Sequence, residues 1–164
     1  MPDEQRRGIL GVDYGRARIG LAIADEETRM PRPLDTLKRV NRNEDMRRLR
    51  EIIRDHHVRQ IVVGLPLRLD GTPGEMAEEV ERFARRVHKQ IGVPVALVDE
   101  RLTSWEAERL VEEQLGRTLH SQKSTHKKSS KASPRPSIDA VAAAVILQDY
   151  LQQQSATKNP LEYI

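Results

Sequence analysis

Apolar residues fall in two rhythms along this chain, and the alternation between them predicts the order of its elements. The runs Gly8–Asp13 (GILGVD) and Arg18–Ala24 (RIGLAIA) read as strands, joined as a hairpin by Tyr14-Gly15-Arg16-Ala17. Pro31 and Pro33 punctuate the next stretch, and Leu34–Leu37 reads as a third, edge strand. Asn43 is expected to cap a helix with Glu44 and Asp45 in its first turn. Met46, Leu49, Ile52 and Ile53 form its apolar stripe, while Arg47, Arg48, Arg50 and Arg54 mostly face away. Gln60–Gly64 (QIVVG) and Val95–Val98 (VALV) are short continuous apolar runs, as expected of strands covered on both faces. Between them Thr72-Pro73-Gly74-Glu75 has the form of a capping box with proline at the first helical position. Met76, Val80, Phe83 and Val87 then recur at helical spacing up to Gly92-Val93-Pro94. A second box, Thr103-Ser104-Trp105-Glu106, opens a helix through Leu115. Ser137–Leu151 is apolar on most sides and reads as a deeply buried helix.

This order is β-β-β-α-β-α-β-α, a polar loop, then α. It predicts an α/β protein with a mixed five-stranded sheet, antiparallel hairpin strands plus parallel strands, covered by helices on both faces. Residues 1–151 are expected to form one domain and 152–164 a polar tail. The length of 164 residues suits that arrangement, and a chain of this size needs no covalent staple.

Composition removes several chemistries. Cysteine is absent, so thiolate nucleophiles, redox dithiols and cysteine-ligated zinc are excluded. Aromatic residues make up 3%, too few for a reader that stacks successive bases on aromatic platforms. No apolar run has the length of a signal peptide or a membrane span, so a cytoplasmic protein without membrane contact is expected.

Charge narrows the picture further. The net charge is +3, yet residues 116–136 (GRTLHSQKSTHKKSSKASPRP) hold six Lys/Arg, two His and no acid. Without those six, 22 basic residues face 25 acidic ones, so the remainder is about −3. A segment of that composition is expected to be a mobile loop that meets phosphate through Lys123, Lys127, Lys128, Lys131 and Arg135.

Four carboxylates stand where chemistry is expected. Asp13 ends the first strand, Asp99 and Glu100 end the last, and Asp139 lies in the first turn of the most apolar helix. The carboxyl ends of parallel strands line the crevice where open α/β sheets bind ligands. If the first and last strands are neighbours, ~4.8 Å apart, Asp13 and one acid of the later pair converge there. Clustered carboxylates resist joint ionisation unless cations neutralise them, and an oxygen-only donor set points to Mg²⁺ or Mn²⁺. Such ions activate water and stabilise the leaving oxygen in phosphodiester hydrolysis. Singly, each acid has a plainer reading as a turn cap, a helix-dipole partner or a salt-bridge partner of Arg101. Arg16, Arg18 and Arg101 could hold the scissile phosphate or offset the carboxylates.

Four blocks resemble the YqgF/RuvX family of pre-16S rRNA nucleases related to Holliday junction resolvases: GVDYGRARIGLAIAD (Gly11–Asp25), VVGLPLRLDGTPGEMA (Val62–Ala77), VDERLTSWEAE (Val98–Glu108) and SIDAVAAAVILQDYL (Ser137–Leu151). They occur in the family's order and span nearly the whole domain. The resemblance implies an RNase H-like fold, divalent-metal nuclease chemistry and a cytoplasmic role in maturing the 5′ end of the 16S rRNA precursor. Asp13 matches the family's first-strand acid and Asp139 the acid of its final helix. The middle acid falls in Asp99-Glu100-Arg101, assigned to Glu100 with Asp99 as the alternative. Metal is thus assigned to Asp13, Glu100 and Asp139. The long Ser/Lys/His-rich stretch departs from the family's short basic link and bears on substrate grip.

Partners expected on this reading are nucleic acid, either rRNA precursor or branched DNA, and a ribosomal subunit, with the chain a monomer or weak homodimer. Resolving branched DNA would require a dimer presenting two sites; a non-catalytic nucleic-acid-binding factor is a third reading. Asp13-Tyr14-Gly15 near Gly20 also resembles the phosphate hairpin of actin-like ATPases, but those need two such halves and only one fits in this length. Tyr14 is expected to pack over the hairpin, and His56-His57 to sit at a helix C-terminus.

Overall fold

The computed structural model describes residues 6–100 and 136–156. Within them lie strands β1 (Gly8–Tyr14), β2 (Arg18–Asp25), β3 (Arg32–Lys38), β4 (Val58–Leu65) and β5 (Val95–Asp99), with helices α1 (Arg42–Asp55), α2 (Glu75–Ile91) and α3 (Ile138–Ala156). The helix expected over Thr103–Leu115, the basic stretch 116–135 and the tail from 157 lie outside the described residues.

The strands form one mixed sheet in the order β3-β2-β1-β4-β5. β1 is antiparallel to β2 and β2 to β3, whereas β4 runs parallel to both β1 and β5. Alternation along each strand sends side chains to two cores. Leu10, Val12, Ile19, Leu21, Ile61 and Val63 meet Met46 and Leu49 of α1 and Val80 and Phe83 of α2. On the other face Ile9, Ala22, Val62 and Val98 meet Ala143, Ala144, Ile146 and Leu147 of α3. The sheet is therefore covered on both faces, as its uninterrupted apolar runs require.

Three boundaries differ from expectation. The cap of α1 is Asn41, whose side chain accepts from the Glu44 backbone N–H at 2.9 Å; Asn43 lies inside the helix. Two asparagines flank one arginine here, and the one three residues before Glu44 completes the cap. α2 starts at Glu75 with Gly74 as its cap, not at Thr72. Thr72 is already engaged, since its backbone N–H and hydroxyl both donate to Asp70, at 2.9 and 2.6 Å. Pro73 is paired with Leu67 in an extended bridge, so it cannot open a helix. Finally, α3 runs past Leu151 to Ala156. Arg29 supports the extra turn, donating to the Leu151 carbonyl and to Gln154 at 3.3 Å each.

Candidate active site

Side-chain parity decides which residues share a face. On β1 the odd-numbered residues point toward α3, which puts Asp13 in phase with Ile9 while Tyr14 goes to the opposite core. There Tyr14 stacks at 4.8 Å between ring centroids on Phe83 and lies beneath the Arg39 guanidinium, confirming a packing role. On β2 the even-numbered residues Arg18, Gly20 and Ala22 face α3, and Asp13 is the ladder partner of Gly20.

At Gly20 the first turn of α3 presses directly on the sheet. A Cβ at this position would fall on the backbone carbonyl of Asp139, so only glycine admits the helix. Asp139 is thereby set beside Asp13, and its side chain accepts a hydrogen bond from Arg18 Nε at 2.9 Å. Ser137 fixes the same helix start: its hydroxyl accepts from the Ala140 N–H at 3.1 Å and meets the Thr36 hydroxyl of β3.

The later acids arrive differently from expectation. β1 and β5 are not neighbours, because β4 lies between them. Two strand spacings, ~9.6 Å, separate their backbones. Gly64 of β4 closes the gap. With no side chain on Gly64, the Glu100 carboxylate lies over it, beside Ile146 of α3, in the space a Cβ would take. Glu100 is the first residue beyond β5, where the chain leaves the strand, whereas Asp99, its last residue, is in phase with Leu97 toward α1 and α2. Asp13 thus has Asp139 on one side and Glu100 on the other as charged neighbours, and Asp99 acts on Glu100.

Electrostatics record the crowding. Burial, and then the Asp139 charge, lift the Asp13 carboxyl from 3.8 to about 6. Glu100 also rises to about 6, through burial first, then Asp13, then Asp99. These are hard oxygen donors that repel one another, a set that fits a hard divalent cation. Among the described residues no three His, Asp or Glu side chains stand close enough together to hold a metal ion, and Asp139 is engaged with Arg18.

The arginines divide. Arg18 meets the cluster, but Arg16 pairs with Glu79 of α2 at 2.7 Å. Arg101, Lys123, Lys127, Lys128, Lys131 and Arg135 lie outside the described residues. Sequence reasoning missed Gly20 and Gly64, whose contribution is the absence of a side chain. It also missed Lys38, the exposed ladder partner of Arg18.

Comparison with known proteins bears on the family and the fold. A family model described as RuvX, Holliday junction resolvase, matches residues 7–153. A relative in Anaeromyxobacter sp. (strain K), which carries the provisional name pre-16S rRNA nuclease, is 44% identical over 146 residues, 89% of this chain and 97% of the relative. A relative of the same name in Azotobacter vinelandii is 39% identical over 150 residues, covering 92% and 96%. Among solved structures, Thermus thermophilus RuvC in complex with a Holliday junction substrate superposes with a TM-score of 0.57 at 20% identity, covering 92% of this chain and 97% of that one. That likeness fixes the architecture as RuvC-like, an RNase H-like fold.

Proposed function

The chain belongs to the RuvX family, and from that premise we propose that it is a divalent-metal endonuclease that hydrolyses phosphodiester bonds of structured RNA, trimming the 5′ end of the 16S rRNA precursor in the cytoplasm. The observation that carries this reading is that Asp13 of β1 has an acid neighbour on either side, Asp139 of α3 seated over Gly20 and Glu100 lying over Gly64.

Asp13, Glu100 and Asp139 would hold Mg²⁺ or Mn²⁺. When bound, such an ion supplies an activated water and stabilises the departing oxygen. The protein's own groups do the rest. Asp13 is carried on β1 and Glu100 directly follows β5, so both are tied to the sheet. Their carboxyls are raised by burial first and by neighbouring acids second, and a bound cation would offset both costs. Arg18 is exposed and is suited to a phosphodiester oxygen, with the lysines of 116–136 adding sequence-independent grip. The RuvX description favours a second reading, cleavage of branched DNA by a dimer.

Labelled 16S precursor and a four-way DNA junction, each incubated with and without Mg²⁺, separate the two. Cleavage of the precursor alone, abolished by Asp13→Asn, is expected. Cleavage of the junction alone would move the assignment to DNA, and cleavage of neither would overturn the nuclease reading. No helix among the described residues is long and apolar enough to cross a membrane.

A further inference from the structure

Arg18 and Lys38 stand directly opposite each other in the β2–β3 ladder, on the face that carries α3. Like charges at directly opposed positions disfavour pairing unless an anion offsets them. Among the described residues no carboxylate pairs with Lys38, and Arg18 pairs with one group only, Asp139. That ion pair is made through Nε, at 2.9 Å. The Arg18 side chain is 62% exposed, open to a ligand from solvent. Asp139 itself cannot drift, because its backbone is seated on Gly20; only its side chain can change partner.

One carboxylate therefore serves two demands. It is the ion-pair partner of Arg18, one of the two opposed cations, and its charge acts on Asp13 in a cluster that is short of positive charge. We infer that Arg18 and Lys38 form a phosphate seat whose place Asp139 holds in the free protein. A phosphodiester group arriving there takes over Arg18, and Asp139 is released toward Asp13 and Glu100. Nucleic-acid docking and completion of the acidic ligand set are then a single exchange. This rests on the nuclease reading. A phosphodiester matches the seat because its two non-bridging oxygens, which share one negative charge, can accept from the guanidinium fork and the ammonium together.

The test uses no catalysis. A short labelled RNA hairpin is titrated in EDTA, by fluorescence anisotropy, against the whole protein and its variants. Arg18→Gln and Lys38→Gln should each weaken binding several-fold. Asp139→Asn should tighten it by freeing Arg18, and that gain should vanish in the Arg18→Gln background. Asp13→Asn is the comparator: it removes a neighbouring charge without touching Arg18, so whatever gain it gives should persist in that background. An Asp139→Asn gain that survives loss of Arg18 would overturn the exchange.

Mn²⁺ titration without nucleic acid, followed by electron paramagnetic resonance, gives the second arm. Arg18→Gln should bind Mn²⁺ up to about tenfold more tightly, because a cation close to the site is gone and Asp139 is unheld. Unchanged or weaker binding by that variant would overturn the inference while leaving the metal reading intact. No Mn²⁺ bound by the wild-type protein would overturn the metal reading, whereas the anisotropy cycle would still decide the exchange.

Discussion

Replacing Asp13 by Asn in metal-free buffer should make the protein more stable, and only on one side of a defined pH window. In the unfolded chain this carboxyl titrates at 3.8, and in the folded protein at about 6. Between those values the folded state binds more protons than the unfolded one, so stability falls as pH rises through the window. Above it, the ionised carboxylate carries the full cost of partial burial and of Asp139 beside it. A shift of that size corresponds to about 3 kcal/mol at full effect. Asp13 is half-buried and not sealed, so solvent screening reduces the gain to about 1–2 kcal/mol. Asn keeps the shape and removes the charge. It also withdraws one of the charges that lift Glu100, which works in the same direction. Urea denaturation of both proteins in EDTA, at neutral pH and again below the window, measures the effect. The variant should be more stable at neutral pH and indistinguishable at acid pH. A gain of equal size at both pH values would refute the electrostatic cause, and a loss at neutral pH would refute the repulsion itself. Adding Mn²⁺ should then raise wild-type stability while leaving the variant nearly unmoved.

Other changes probe different contacts. Gly64→Ala places a methyl where the Glu100 carboxylate lies and 2.6 Å from Ile146 Cδ1; it should cost about 1–3 kcal/mol in denaturant and depress nuclease turnover by displacing Glu100. Asn41→Ala removes the cap of α1 on the far face, so it should cost about 1 kcal/mol in a thermal melt with cleavage per folded molecule unchanged. Replacing Lys127, Lys128 and Lys131 together by Ala should weaken RNA binding. It should also flatten the slope of log affinity against log salt by about 0.7–0.9 for each phosphate no longer neutralised. An unchanged slope would remove those lysines from the interface.

Much of the architecture was legible because it rests on local pattern. The apolar runs of β1, β2, β4 and β5 and the stripe Met46-Leu49-Ile53 depend on their own periodicity, and each appeared within a residue or two of its expected place. Pattern could not supply lateral order. Val95–Val98 and Gly8–Asp13 carry no mark that β4 separates them, since any buried parallel strand reads alike. The letters also could not show where β5 ends: Asp99 is its last residue, and Glu100, just past it, turns its carboxylate over Gly64. The cap of α2 failed for another reason. Thr72 satisfies the box on paper, but Asp70 competes for the same donors two residues earlier.

The placement of α3 bears on when the molecule becomes competent. Every described strand precedes it in the chain, and its residues Ala143, Ala144 and Leu147 close over a face that β1, β2 and β4 present much earlier during synthesis. Until that helix emerges, Ile9, Ala22 and Val62 lack the α3 residues that pack on them, and Asp139 is not beside Asp13. A copy cut short before α3 presents that face bare, the kind of apolar surface that makes incomplete chains prone to aggregate. Closure of this hydrophobic layer and arrival of Asp139 are therefore the same event.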